Sequence, residues 1–255
     1  MKFNKPHFIT STSNEAREQK ELLVSKYGDF AVNDADIFIV LGGDGFMLQA
    51  IKDFMDKKIP FFGINYGSIG FLMNSVTDDD LIIRVDEAQS VQLSPLVMTA
   101  YDKDGSFHTA KAINEVALLR QTHQAAKIQV SIDNKVRQEE LICDGILLAT
   151  PSGSTAYNLS AHGPILSIES NDLALTPISA FRPRRWKGAI LNNKSEVKLD
   201  ILESDKRPVS ATADSLEVRN VKSITIQQDT SIKIILLYDS NHSFEERILN
   251  EQFKY

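Results

Sequence analysis

The unbroken apolar run Ile37-Phe38-Ile39-Val40-Leu41, opening at Asp36 and leading straight into Gly42-Gly43-Asp44-Gly45, constrains this chain more than any other stretch. Such a run, without polar alternation, is the pattern of a strand buried on both faces, as in a parallel sheet covered by helices. The glycines let the backbone turn sharply, and a helical stretch, Phe46 to Lys57, follows. Strand, glycine turn and helix amino terminus in succession offer free N–H groups to an anion such as phosphate. Neither common phosphate loop is formed: no Lys-Ser/Thr pair follows the last glycine, and Gly-x-Gly-x-x-Gly is missing. A carboxylate among the glycines repels phosphate, so Asp44 is expected to work as proton acceptor, metal ligand or hydroxyl orienter. The plainer alternative is a strand-to-helix turn with Asp44 as the helix cap.

Around this feature the chain alternates strand and helix: Phe8-Ile9, Asn14 to Tyr27, Asp36 to Leu41, Phe46 to Lys57 and Ile59 to Asn65. That rhythm predicts a doubly wound, Rossmann-like α/β domain over residues 1–95. A further helix is expected from Asp79 to Ala88, capped by Thr77 or Asp78. From Leu96 to Leu237 the signals are β strands and turns, predicting a β-rich, sandwich-like domain over 96–237. Val97 to Tyr101 and Phe107 to Ala112 flank Asp102-Lys103-Asp104-Gly105, a hairpin turn. Ile128 to Ile132 alternates and turns at Asp133-Asn134 into Val136, and Val197 to Leu202, Ser223 to Gln227 and Ile232 to Leu237 are further strands. Phe244 to Phe253 reads as a short helix, within a carboxy-terminal segment, 238–255, expected to return to the first domain.

Charge and composition narrow the partners. Across 255 residues, 28 Lys plus Arg stand against 34 Asp plus Glu, a net charge of −6, which argues against a polyanion as main partner. No apolar run approaches the roughly 18 residues of a membrane span, and Met1 to Pro6 has no signal-peptide core. The single cysteine, Cys143, excludes an internal disulfide and a Cys-based zinc site, and reads as a buried filler rather than a nucleophile. A cytoplasmic protein with neither membrane nor nucleic-acid partner is expected. His7, His108, His123, His162 and His242 lack metal-ligand spacing. Phe181-Arg182-Pro183-Arg184-Arg185-Trp186-Lys187 is basic and aromatic. In an acidic chain it suits a phosphate-bearing small molecule or an acidic neighbouring subunit.

Two further segments carry chemistry. Within Ala112 to Arg120, Asn114 and Glu115 interrupt an apparent strand; buried, they need polar partners such as ribose hydroxyls, and otherwise they are an edge-strand pair in solvent. In Asp144 to Ser160 an apolar strand, Ile146 to Ala149, enters a loop dense in hydroxyls, then a helix starting near Thr155. Hydroxyls, a glycine and helix N–H groups suit a phosphate-rich ligand; the alternative is a Ser/Thr-rich surface loop. A Gly-x-Ser-x-Gly elbow is missing, which disfavours a serine hydrolase.

Taken in order and spacing, Gly42-Gly43-Asp44-Gly45, Ile64 to Leu72, Asn114-Glu115 and Asp144 through Ser160 closely resemble the NAD kinase family. The Gly-Gly-Asp-Gly element is shared with diacylglycerol kinase, sphingosine kinase and phosphofructokinase relatives, whereas Thr150 to Tyr157 is the specific part. The resemblance implies transfer of the terminal phosphoryl group of ATP to the 2′-hydroxyl of the adenosine ribose of NAD, giving NADP. It implies that Asp44 activates that hydroxyl beside Gly45, and that Asn114 and Glu115 contact the dinucleotide. Asp144, Ser152 and the run Thr155, Ala156, Tyr157, Asn158, Leu159 and Ser160 then complete the pocket. A divalent cation, magnesium by preference, accompanies ATP, and a homodimer or homotetramer is implied. Phe46 stands where many members carry Thr, His162 where Gly is usual, and Ala213-Asp214-Ser215 where an Asp-Gly turn is common. The competing readings are a diacylglycerol-type lipid kinase and a non-catalytic NAD(P)-binding regulator.

Overall fold

The computed structural model describes residues 3–67 and 70–240 and the single positions 246, 249 and 253. It divides into two compact units, residues 1–93 with 232–255, and residues 94–231. The chain begins β1 (Pro6–Thr10), α1 (Asn14–Tyr27), β2 (Ile37–Gly42), α2 (Asp44–Phe54), β3 (Phe61–Asn65), α3 (Leu81–Glu87) and β4 (Gln89–Leu93). It continues with β5 (Leu96–Asp102), β6 (Phe107–Ala112), β7 (Glu115–Arg120), β8 (Ala126–Ile132), β9 (Lys135–Cys143), β10 (Gly145–Ala149) and α4 (Tyr157–Ser160). Then come β11 (Asp172–Ile178), β12 (Ala189–Asn192), β13 (Val197–Ile201), β14 (Val209–Ala213), β15 (Leu216–Val218), β16 (Val221–Gln228) and β17 (Ile234–Tyr238).

The sheet of the first unit runs β1-β2-β3-β17-β4. It is parallel from β1 through β17 and antiparallel only where β4 joins. Every residue of β2 is buried, as a strand covered on both faces requires. Ser13 caps α1 through Ala16 N–H at 3.3 Å, and the helix ends at Gly28, whose φ of 77° suits glycine. Helix α2 starts at Asp44 rather than Phe46, with Gly43 as its N-cap and no capping side chain. Helix α3 is shorter than expected because Asp80, not Thr77 or Asp78, is its cap, accepting the N–H groups of Ile82 and Ile83. The strand expected over 232–237 among the second region's strands pairs instead in this sheet, as β17. Its sequence, Ile-Ile-Leu-Leu-Tyr, is as apolar as β2, and Asn74 fixes it by donating to Leu237 O and accepting from Asp239 N–H. The expected helix over Phe244 to Phe253 falls, but for isolated positions, outside the described residues.

The second unit has two antiparallel six-stranded sheets, β12-β11-β10-β7-β14-β15 and β6-β5-β16-β13-β8-β9. Leu96, Met98, Ile128, Val130 and Leu199 of one sheet share a core with Val116, Leu118, Ile146, Leu148 and Leu173 of the other, the arrangement of a β-sandwich. The reverse face of β7, β10 and β11 is also covered, by a cluster of Ala117, Leu147, Ala149, Ala174 and Leu166. This double cover explains why β10 is buried throughout. Asp133 and Asn134, with φ of 52° and 61°, close the β8–β9 hairpin as its sequence predicts. The segment Ala112 to Arg120 is not one interrupted strand. Strand β6 ends at Ala112 in one sheet and β7 begins at Glu115 in the other, so Ile113 and Asn114 carry the crossover.

Candidate active site

In the first unit, Asp44 is the first residue of α2, and its carboxylate reaches the loop after β3. One oxygen accepts Phe71 N–H at 2.5 Å and the other Leu72 N–H at 2.9 Å. The approach depends on Gly70, where a Cβ would lie 2.3 Å from Asp44 Oδ1. The two glycine-bearing segments close on each other again nearby, where Tyr66 N–H donates to Gly42 O at 2.8 Å. A Cβ on Gly67 would sit 3.3 Å from Gly43 Cα. The segments 42–45 and 64–72 are therefore one construction, held by a charge-assisted clamp, although Ser68 and Ile69 lie outside the described residues. Asp44 is not the helix cap. Gly45 has open space on the side where a Cβ would point.

In the second unit, three backbone donors of the crossover converge on one carboxylate. Asp214 accepts Ile113 N–H at 2.8 Å, Asn114 N–H at 3.0 Å and Glu115 N–H at 3.3 Å. Asn114 Oδ1 accepts the Ser152 hydroxyl at 3.2 Å, and its carbonyl accepts Thr150 N–H at 2.9 Å. Glu115 is partly buried, and its Oε2 is buried with no hydrogen-bond partner. Burial first, and the negative charge of Asp214 second, push the Glu115 carboxyl up to about 7. The Tyr157 phenol is also raised, by burial and then by the charges of Glu115 and Asp144, so these three side chains share one neighbourhood. The reading of Asn114 and Glu115 as a solvent-facing edge pair does not hold.

The hydroxyl-rich loop is neither a surface loop nor an array of free donors. Ser152, Ser154 and Asn158 are buried. The Thr150 hydroxyl donates to Ile113 O at 2.7 Å and that of Ser154 to Pro151 O at 2.7 Å. The Thr155 hydroxyl donates to Ser152 O at 3.4 Å. Asn158 donates to the carbonyls of Ser154 and Pro164 and accepts the Thr176 hydroxyl at 2.6 Å. Gly153 is imposed by the Asn114 carbonyl, 2.1 Å from where a Cβ would stand. The expected helix is reduced to a 3₁₀ turn, Ser152–Thr155, followed by the four residues of α4, too short to act as an anion-binding helix end. Tyr157 and Ser160 are left exposed, with Thr155, Ala156 and Leu159 partly so.

Asp144 is ion-paired to Arg120 Nε at 2.6 Å, and Arg120 also donates to Thr122 O at 2.6 Å. Two residues escaped the sequence reading. For Arg120 the signal was opposite charge at the ends of two neighbouring apolar runs. For Asp214 it was an acidic residue in a short turn, noticed only as a departure from the family pattern. His162 has a φ of 63°, the left-handed conformation that glycine adopts readily. Cys143 is buried and its thiol is pushed up to about 12 by burial, which makes it unreactive. Arg182 and Arg184 lie over the Phe181 ring at 5.5 and 5.0 Å, on an exposed stretch. Among the described residues no three His, Cys, Asp or Glu side chains form a metal-binding group, and no helix is long and apolar enough to cross a membrane.

Comparison with known proteins finds matches in both regions of the chain. Residues 2–86 match the ATP-NAD kinase N-terminal domain and residues 113–235 the ATP-NAD kinase C-terminal domain. A Brucella suis NAD kinase is 51% identical over 249 residues, covering 98% of this chain and 97% of its own. A Caulobacter vibrioides NAD kinase is 52% identical over 246 residues, covering 96% and 95%. The fold is similar to that of yeast NADH kinase, solved with NADH, with a TM-score of 0.82 at 20% identity over 98% of this chain and 87% of the other. It is also similar to an Archaeoglobus fulgidus NAD kinase solved with ATP, with a TM-score of 0.77 at 20% identity over 97% and 98%. With both domains matched and half the residues identical over almost the whole length, the chain belongs to the NAD kinase family.

Proposed function

We propose that this phosphotransferase moves the terminal phosphoryl group of ATP to the 2′-hydroxyl of the adenosine ribose of NAD, giving NADP and ADP. The observation that carries the reading is the identity of about half over nearly the full chain with relatives named NAD kinase. The match of residues 113–235 to the NAD kinase C-terminal domain supports NAD over a lipid as acceptor.

A ribose hydroxyl is a poor nucleophile while it keeps its proton, and phosphoryl transfer rests on positioning and charge neutralisation. Asp44 is the proposed proton acceptor. A carboxylate has about four acceptor positions; the N–H groups of Phe71 and Leu72 take two and fix the orientation, leaving the others for the hydroxyl. The backbone N–H of Gly45, at the helix amino terminus, is proposed to face the developing phosphate charge. Asn114, Glu115, Asp144, Thr155, Ala156, Tyr157, Leu159 and Ser160 are proposed to contact NAD. Ser152 and Asn158 are proposed to shape the wall, since their polar side-chain atoms bond within the protein.

Magnesium bound to a nucleotide is held largely by phosphate oxygens and water, with one or two carboxylates. A single carboxylate, Asp44, stands in the glycine turn, and a cation carried on ATP needs no larger protein cluster than that. When bound it neutralises charge on the transferring group. A cytoplasmic homodimer or homotetramer is proposed, and an exposed cationic loop in a chain of charge −6 supports contact between copies.

The purified protein with ATP, magnesium and NAD should yield NADP, read by a dehydrogenase that accepts only NADP. NAD binding without product would leave a non-catalytic regulator, and phosphorylation of diacylglycerol would leave a lipid kinase. Light scattering after size exclusion should give twice or four times the chain mass.

A further inference from the structure

We propose that Asp214 is a positioning residue for the dinucleotide: its carboxylate holds the backbone of the sheet crossover and thereby aims the Glu115 side chain at the ligand. The inference rests on the reading of Asn114 and Glu115 as NAD contacts. Residues crossing between sheets lose ladder partners, and an unpaired buried N–H is costly. Here Ile113, Asn114 and Glu115 all donate to Asp214 at 2.8 to 3.3 Å. The bonding is reciprocal, since Asp214 N–H donates to Glu115 O at 3.1 Å. Asp214 lies in the β14–β15 turn with φ 48°, a left-handed conformation in which Asp is enriched. From the opposite side Thr150 N–H and the Thr150 hydroxyl hold the Asn114 carbonyl at 2.9 and 3.2 Å. The crossover is thus gripped from two elements, and what projects from it is a carboxyl whose Oε2 has no protein partner.

Position and charge act together. The charge that bears on Glu115 is that of Asp214 from the β14–β15 turn, and Tyr157 of α4 in turn lies under the charges of Glu115 and Asp144. Asp144 is itself paired with Arg120, which leaves Asp214 as the charge opposing ionisation of Glu115. Below about pH 7 the Glu115 carboxyl keeps its proton and donates a hydrogen bond; above that it accepts. Removing the Asp214 charge lowers that transition, though not to the usual carboxylate range, because burial is the larger cause.

The test compares wild type and Asp214→Asn by steady-state kinetics from about pH 5.5 to 8.5, with amide hydrogen exchange at residues 113–115. The amide of Asn sets an N–H₂ against at least one of the three donors. The Michaelis constant for NAD should rise about ten-fold, the order of one hydrogen bond to an ionised group, while that for ATP and the turnover number stay within a few-fold. The pH transition of kcat/KM for NAD should move toward acid, and exchange at 113–115 should quicken. Glu115→Gln should abolish the transition with the clamp intact. An unmoved transition and unchanged NAD constant in folded Asp214→Asn would overturn the proposal. Should Asp214→Asn not fold, a transition that persists in Glu115→Gln overturns it as well. A wild-type protein that makes no NADP fails the kinase reading instead, and the exchange comparison still decides the clamp.

Discussion

Asp44 and Asp214 each bind the backbone of a segment remote in sequence, yet they leave different things free. At the head of α2, Asp44 holds Phe71 and Leu72 and is the carboxylate of its glycine turn, so scaffold and proposed chemistry fall on one side chain. In the second unit the work is divided. Asp214 holds residues 113–115, and Glu115 presents the unpartnered oxygen. A group with two duties cannot be replaced without losing both, whereas a divided pair can be taken apart one function at a time.

The sharpest break of this comparison is Asp44→Asn. A positioned general base typically contributes about 10²–10⁴ in rate, equivalent to about 3–5 kcal/mol of barrier, and turnover should fall by that factor with NAD affinity within a few-fold of wild type. Gly70→Ala should lower turnover too without touching the carboxylate's chemistry, because its Cβ would lie 2.3 Å from Asp44 Oδ1 and displace it. Near-normal turnover in Asp44→Asn would leave Asp44 a scaffold only, and rescue by added magnesium would make it a metal ligand.

Glu115→Gln probes the other partner through stability. The folded carboxyl sits at about 7 against an ordinary 4.5, so the folded state binds the proton more tightly than the unfolded chain. Stability from this group is therefore complete below about pH 4.5 and is lost as pH rises to about 7. At 1.36 kcal/mol per unit the loss approaches about 3 kcal/mol. Denaturant unfolding should show Glu115→Gln gaining up to that amount over wild type at pH 8 relative to pH 4. Equal differences at the two pH values would mean that Glu115 ionises normally.

What the sequence disclosed follows from how locally each feature is determined. The apolar run of β2 and the Asp133-Asn134 turn are set by residues adjacent in the chain, and both appear where expected. The pairing of β17 with β3 and β4 joins residues far apart in sequence, and an apolar strand carries no label for its sheet. Likewise the hydroxyls of Thr150, Ser152 and Ser154 looked available, and only the fold shows them bonded to Ile113, Asn114 and Pro151. Asp44 stands out as the carboxylate among its glycines, whereas Asp214, whose partners lie about 100 residues away, has no local signature.

Asp144→Ala should act on binding and less than Asp44→Asn acts on turnover. A hydrogen bond to an ionised group is worth about 1.5–3 kcal/mol, so NAD affinity by calorimetry should fall about ten- to a hundred-fold. Arg120, released from its 2.6 Å pair, remains partly solvated, so circular dichroism should stay that of wild type. An unchanged affinity removes Asp144 from the site and confines it to holding Arg120.

The smallest expected effect belongs to the cationic loop, which neither clamps backbone nor presents a carboxyl. Arg184 and Arg185 are exposed, and stacking of Arg184 over Phe181 at 5.0 Å contributes about 0.5–1 kcal/mol at such a site. Arg184→Ala with Arg185→Ala should therefore leave the melting temperature nearly unchanged, since exposed charges add little stability. If the loop serves a substrate phosphate, the Michaelis constant of that substrate should rise several-fold, and the difference from wild type should shrink in high salt as charges are screened. If it serves a neighbouring copy, sedimentation should show a smaller assembly at unchanged turnover per folded chain. Identical kinetics and sedimentation would make the loop an ordinary solvated surface, and contact between copies would then have to use a different face.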